Sequence, residues 1–321
     1  MFNNIPLIYN ADQLLDHSLR KARKITIADR NPHYKQKKEL IARTDSFATI
    51  IVTKLESYIR EFPSLEQLPL FYQDLIDIRV DTNKLKKSLG AVDWARKTIQ
   101  SIYAKQSRGL HKTHNLDFLK QKNKEIIGRV SSVLQQVNSD LQFLADAENV
   151  LKSFPDIYDV PTVVIAGYPN VGKSSLLRCL SRATPEVAQY PFTTKEVYIG
   201  HMTVKQRYDE FQVQLIDTPG LLDRPLMEKN DIEKQAIAAL QHLATVIVFI
   251  LDSSETCGYS LEDQQHLLQD LKNMFADTPF IVVENKADIK TTDDPYVKIS
   301  CQDGAGIEEL KELITSSIVE T

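Results

Sequence analysis

Gly167 to Leu180 read GYPNVGKSSLLRCL, and Gly-x-x-x-x-Gly-Lys-Ser runs through them from Gly167 to Ser174. That pattern grips phosphate. Its glycines let the backbone wrap closely around anionic oxygens, with the amide hydrogens pointing inward. The backbone of Asn170, Val171, Gly172, Lys173, Ser174 and Ser175 is the expected cradle. The apolar run TVVIAG precedes it and a helical pattern follows, so the positive end of a helix adds to the pull on the anion. Lys173 is expected to reach the β- and γ-phosphates of a nucleotide, and Ser174 to ligate Mg2+.

Three later stretches narrow the ligand. LIDTPG ends an apolar run at Asp217, where a carboxylate can hold Mg2+ through a water, and it offers the Gly220 N–H to a γ-phosphate. ENKAD ends another apolar run, and there Asp288 can accept two hydrogen bonds from the ring N–H and amino group of guanine. Adenine presents a different edge and would leave that carboxylate unpaired, which is costly in a buried site. Asn285 can hold the loop and face the base oxygen, while the stem of Lys286 can cover the base plane. KISCQDG supplies Ser300 and Cys301, whose backbone can meet the guanine O6. Each tetrapeptide is weak alone; three in this order, each after a strand, point to GTP and GDP.

These residues need strands to carry them. KEVYIGHMTV and FQVQLID alternate, whereas ATVIVFILD and PFIVVEN are continuous apolar runs, as expected for strands covered on both faces. Helical stretches, NDIEKQAIAALQHL and LEDQQHLLQDLKNMF, separate them. Residues 159–321 therefore read as an α/β domain with a mixed, mostly parallel six-stranded sheet. Residues 1–158 read as helix throughout and hold only Gly90, Gly109 and Gly128. Leu14, Leu15, Leu19 and Ala22 form one stripe, and Leu85, Leu89, Val92, Ile99 and Ile102 another. From Leu116 to Phe154 the periodicity predicts a single helix roughly 55 Å long, which requires a helical bundle or long hairpin around it. Trp94, the only tryptophan, is expected in the core between helices.

Charge divides along the same line. Residues 1–158 carry 25 Lys+Arg against 18 Asp+Glu, and 159–321 carry 14 against 25. A basic half joined to an acidic half suggests that one half meets a polyanion. Between Arg20 and Arg43 nine basic residues face only Asp29 and Glu39; Arg20, Lys21, Arg23, Lys24, Lys35, Lys37 and Lys38 are the candidate RNA contacts. A second cluster holds Lys112, Lys120, Lys122 and Lys124. Three scattered cysteines form no metal pair or disulfide framework, which suits a reducing cytoplasm. The longest apolar run, ATVIVFIL, is too short to span a bilayer, so no membrane partner is expected.

The second half resembles a Ras-like P-loop GTPase domain of the translation-factor-related class. GYPNVGKSSLL, YPFTTKEVYIGH and IDTPGLLDRP together resemble the Obg group. Phe71–Lys97, FYQDLIDIRVDTNKLKKSLGAVDWARK, resembles the nucleolar GTP-binding protein family and its archaeal counterparts, here in the compact archaeal form. The resemblance implies a GTPase acting in large ribosomal subunit assembly, its helical domain on rRNA, and a monomer off the ribosome. It also implies that Thr194, rather than its neighbour Thr193, meets Mg2+ and the γ-phosphate. Ras-like proteins place a water-orienting glutamine after the glycine of the second switch, where this chain has Leu221, so intrinsic hydrolysis should be slow. Asn170 occupies the place where cation-activated GTPases carry a potassium-binding asparagine; alternatively it only shapes the loop. The catalytic set is then Lys173, Thr194, Gly220 and Asn170. Arg224 is expected to face solvent or a partner. Two other functions fit the same pocket: a structural placeholder that binds GTP with little turnover, and a guanine-nucleotide-sensing regulator.

Overall fold

The computed structural model describes residues 2–113, 115–154, 157, 160–181, 184–189, 196–205, 210–224 and 229–319. Thr193 and Thr194 lie outside the described residues. Six helices lead the chain: α1 (Ala11–Arg23), α2 (Pro32–Glu61), α3 (Leu70–Val80), α4 (Thr82–Lys112), α5 (Leu116–Gln136) and α6 (Asn138–Lys152). They do not all belong together. One compact unit comprises Met1–Gln67 and Val80–Lys152, and the other Leu68–Arg79 and Ser153–Thr321. By its contacts, most of α3 groups with the second unit.

In the first unit asparagines start the helices. Asn10 and Gln13 form a reciprocal capping box on α1, and Asn31 caps α2 just before Pro32. Asn115 caps α5 through the amides of Asp117 and Phe118. Each side-chain oxygen satisfies an amide that has no partner inside the helix. The core is the apolar stripe of these helices: Leu14 from α1, Phe47, Ile51 and Leu55 from α2, Val92 and Ile99 from α4, Ile126 and Val130 from α5.

Two expectations fail here. The long helix from Leu116 to Phe154 is two helices, α5 and α6, broken at Val137 (φ −105°, ψ 14°). The cause is tertiary. Asn138 Oδ1 accepts from the Ala11 amide at 3.0 Å, and Gln135 donates to Asp12 at 2.6 Å, so the break receives the start of α1. The apolar stripe continues through it, with Val137, Leu141 and Leu144 buried, and the period alone cannot reveal the interruption. Trp94 is 48% exposed rather than core. The buried register of α4 runs through Leu85, Val92, Ala95 and Ile99, and Trp94 lies off that stripe beside the Asp93–Arg96 and Asp93–Lys97 ion pairs.

Side-chain ties set the heights of the long helices. Asn123 on α5 donates to Thr44 on α2, Tyr103 on α4 donates to Asp45 on α2, and Gln106 on α4 donates to Glu125 on α5. α2 and α5 both run away from this level as α4 runs toward it. The α1–α2 connection and the α4–α5 connection consequently share one end of the unit.

The second unit holds a seven-stranded sheet among the described residues, one strand more than expected. The strands are β1 (Thr162–Ala166), β2 (Glu186–Gln189), β3 (Glu196–Lys205), β4 (Glu210–Asp217), β5 (Val246–Asp252), β6 (Phe280–Asn285) and β7 (Val297–Lys298). Their order is β2-β3-β4-β1-β5-β6-β7, with β2/β3 and β3/β4 antiparallel and the other pairs parallel. β2, four residues on one edge, and β7, two residues on the other, match none of the runs that the sequence offers as strands. β1 and β5 are wholly buried, which explains their unbroken apolar runs. β1 lies between β4 and β5, so the connection leaving its C-terminal end opens where the order reverses, the crevice in which open α/β sheets bind ligands.

Candidate nucleotide site

The phosphate loop leaves β1 and enters α7 (Lys173–Leu180). Its backbone needs the residues it has. Gly167 has φ +139°, and a Cβ there would stand 2.7 Å from the Ile250 carbonyl. Gly172 has φ +107°, and a Cβ would stand 2.1 Å from the amide nitrogen of Asn285. Asn170 is left-handed at φ 63°, a conformation that asparagine tolerates better than most residues. Lys173 is buried, and its ammonium donates to the carbonyls of Gly167 at 2.7 Å and Tyr168 at 2.8 Å. The cation is thus held inside the loop, at the start of a helix.

Ser174 donates to Asp217 Oδ2 at 2.6 Å, joining the first turn of α7 to the end of β4. The other oxygen, Asp217 Oδ1, is buried without a hydrogen-bond partner among the described residues. Burial pushes the Asp217 carboxyl above its usual range, against the Ser174 hydrogen bond and the Lys173 charge, and Asp223 pushes it further up. A hydroxyl beside a carboxylate with an unsatisfied buried oxygen is a hard donor set, and it suits Mg2+ completed by phosphate and water. Downstream, the Gly220 amide donates to Asp223 Oδ2 at 2.8 Å. Leu221 is completely buried. Arg224 does not stand free; it pairs with Glu233 at 2.8 Å, at the start of α8 (Asp231–Gln241).

The end of β6 carries the second half of the site. Asn285 Nδ2 donates to the Val171 carbonyl at 2.8 Å, and its Oδ1 accepts from the Cys301 amide at 3.3 Å. Lys286 is left-handed at φ 63° and donates to Asp252 Oδ2 at 2.6 Å and to Thr256 at 2.8 Å. Burial works to raise the Asp252 carboxyl, but hydrogen bonds from Lys286 and Ser254, with the Lys286 charge, leave it below the usual range. Asp288 is exposed and makes no hydrogen bond among the described residues. A recess of about 400 Å3 runs beside Lys173, Ser174 and Asp223. Another of about 440 Å3 runs beside Asn285, Lys286, Asp288 and Cys301. Asn170, Gly172 and Ser175 line both, so the recesses adjoin.

Residues 2–158 match the NOG1 N-terminal helical domain, and residues 231–288 match Nucleolar GTP-binding protein 1. An uncharacterized protein of Methanocaldococcus jannaschii is 39% identical over 292 residues, which are 90% of this chain and 81% of that one. The chain belongs to the nucleolar GTP-binding protein 1 family. Within that family the Drosophila melanogaster protein is 35% identical over 302 residues, 91% of this chain but 45% of its own length. The chain thus spans about half the length of the eukaryotic relatives it matches. A solved nucleolar GTP-binding protein 1 of Plasmodium falciparum is 31% identical, with a TM-score of 0.45, covering 52% of this chain and 91% of that one.

In this member of the nucleolar GTP-binding protein 1 family, Asn170, Val171, Gly172, Lys173, Ser174, Ser175 and Asp217 come together at the C-terminal edge of the sheet. Gly220, Asn285, Lys286, Asp288 and Cys301 join them. Ser300 is placed differently. It is buried, its amide donates to Ala305, and its hydroxyl accepts from the Gln302 and Asp303 amides, so it shapes the loop. Sequence reasoning missed Asp252 and Asp223. Asp252 had a readable signal, a carboxylate ending the buried strand β5 just as Asp217 ends β4. For Asp223 only the fold shows that its side chain turns back onto Gly220. Among the described residues no helix is long and apolar enough to cross a membrane.

Proposed function

We propose that this chain binds GTP and GDP with Mg2+ and hydrolyses GTP slowly, as a switch in large ribosomal subunit assembly. The observation that carries the nucleotide reading is the Asn285–Val171 hydrogen bond. It ties the phosphate loop to the end of β6, three residues before Asp288, and so supports Asp288 as the carboxylate that reads the base. Lys173 neutralises phosphate charge, and the loop amides and Gly220 hold the phosphate oxygens. Ser174, Asp217 and Thr194 would hold Mg2+, which supplies Lewis-acid stabilisation of the charge on the transferring phosphoryl group. Leu221 is buried and cannot orient water, so catalytic help comes from elsewhere. Asn170, between the two recesses, is our candidate ligand for K+ beside the phosphates.

The rRNA reading is supported by the gathering of basic residues. The end of the helical unit that holds the α1–α2 and α4–α5 connections carries both clusters. Arg20, Lys21, Arg23, Lys24 and Lys35 are exposed there. Lys38 pairs with Asp29, and Arg43 is bound to the Ile25 carbonyl, so these two shape the connection as well. Leu221 also favours a second reading, a placeholder on pre-ribosomal particles that binds GTP with little turnover.

The test is GTP turnover by the full chain, in KCl and in NaCl at matched ionic strength, with and without large-subunit particles. Binding of GTP and GDP but not ATP, with turnover raised by K+ and by particles, is the expected result. Equal turnover in the two salts would remove the K+ role. Turnover indifferent to particles would favour the placeholder. Cross-linking to the particles in the GTP and GDP states, followed by mapping of the RNA, tests the contact.

A further inference from the structure

We infer that Asp223 sets the preference between triphosphate and diphosphate, because its carboxylate holds the Gly220 amide that a γ-phosphate requires. This rests on the guanine-nucleotide reading above.

Charged side chains hold Gly220 at both its N–H and its carbonyl. Its N–H donates to Asp223 Oδ2 at 2.8 Å, and its carbonyl accepts from Lys229 Nζ at 3.3 Å. Both charged residues are almost wholly buried, at 4% exposure each. Asp223 lines the same recess as Lys173 and Ser174, where phosphate oxygens would sit. Its charge also reaches Asp217, the carboxylate at the end of β4. Leu221 and Leu222 between them are buried, which anchors the turn and directs the Asp223 side chain back toward Gly220.

One N–H directed at one oxygen cannot serve two anions. A carboxylate and a γ-phosphate at this donor exclude each other, and their charges repel in a recess partly shielded from water. GDP has no γ-phosphate and leaves Asp223 on Gly220. GTP must displace the carboxylate before the amide can turn to the nucleotide. Asp223 is therefore a specificity-determining residue that favours the diphosphate, and its release couples the third phosphate to movement of the second switch.

The test uses the full chain with Mg2+ and fluorescent GDP or a fluorescent non-hydrolysable GTP analogue, comparing wild type, Asp223→Ala and Asp223→Asn. The readout is the ratio of triphosphate to diphosphate affinity, which a general loss of packing would not shift in one direction. The ratio should rise about tenfold in Asp223→Ala, the effect of losing one charge-assisted hydrogen bond. It should rise less in Asp223→Asn, which keeps an acceptor of the same shape without the charge. A ratio unchanged or lowered in Asp223→Asn and Asp223→Ala, with wild type binding both nucleotides, overturns the inference and leaves the guanine-nucleotide reading standing. Failure of wild type to bind either nucleotide overturns both.

Discussion

The side-chain amide of Asn285 donates to the Val171 carbonyl at 2.8 Å across 114 positions of sequence. Its oxygen takes the Cys301 amide, and Gly172 leaves it room, since a Cβ there would meet it at 2.1 Å. One buried side chain thereby joins the phosphate loop, the end of β6 and the following loop into a single cradle. Replacing Asn285 by Ala loosens all three. Affinity for GTP and GDP should fall together by roughly ten- to a hundredfold, the effect of one or two buried hydrogen bonds, without a change in base preference. Isothermal titration with both nucleotides checks this; a selective loss of one of them would contradict it.

Asp288 has a different task. Its carboxylate is exposed at the recess and makes no hydrogen bond among the described residues, and the proposed function gives it two donors of guanine. Asp288→Asn presents a donor as well as an acceptor, which suits xanthine, whose oxygen replaces the guanine amino group. GTP affinity should drop at least about a hundredfold while xanthosine triphosphate gains. Competition binding with the two nucleotides reads out the exchange.

Asp217 predicts a pH dependence. Burial raises its folded-state pKa above that of the unfolded chain. Its contribution to stability is therefore full below the unfolded pKa and is lost as pH rises through the folded one. Mg2+ requires the ionised form. Mg2+-dependent nucleotide affinity should weaken as pH falls through the raised pKa, at higher pH than for an ordinary aspartate. A pH series of titrations checks this, and Asp217→Asn should bind weakly with no such dependence.

Leu221 stands where a water-orienting glutamine would be, yet it is wholly buried. Leu221→Gln should not rescue hydrolysis. It would instead bury an unpartnered amide in place of a packed aliphatic chain, at a cost of about 2–4 kcal/mol of stability. Thermal melting and single-turnover hydrolysis separate these outcomes: a faster enzyme with an unchanged melting temperature would contradict the burial argument.

Reversing Lys21, Arg23 and Lys24 to Glu should weaken binding to large-subunit RNA and flatten its dependence on salt, since fewer counterions are released. These residues are exposed at the end of α1, so the melting temperature should change little. A salt titration that matches wild type would exclude this surface.

How far such features could be read in advance depended on whether their cause was local. The Gly167–Ser174 loop was legible because its glycines answer a local backbone demand, with φ of +139° and +107° at Gly167 and Gly172. Strand character was legible in β1 and β5 because burial on both faces leaves a nearly unbroken apolar run, with Thr162 and Asp252 only at the strand ends. The edge strand β2 was not, since four residues at a sheet margin exist only by pairing with β3. Trp94 is exposed because its position lies off the buried α4 stripe of Leu85, Val92, Ala95 and Ile99, and its apolar character alone does not bury it.

Local pattern specified the phosphate loop, Asp217 at the end of β4, the Asn285–Asp288 run after β6 and the helical half that precedes them. Spacing and periodicity act within a few residues of chain, where backbone geometry is set. Packing set the break at Val137 that receives α1 and brought both basic clusters to one end of the helical unit. The same holds for the burial of Leu221 and for the Gly220 amide held by Asp223. Each of these depends on which side chain or backbone group meets another once the chain is packed, and no local pattern encodes that meeting.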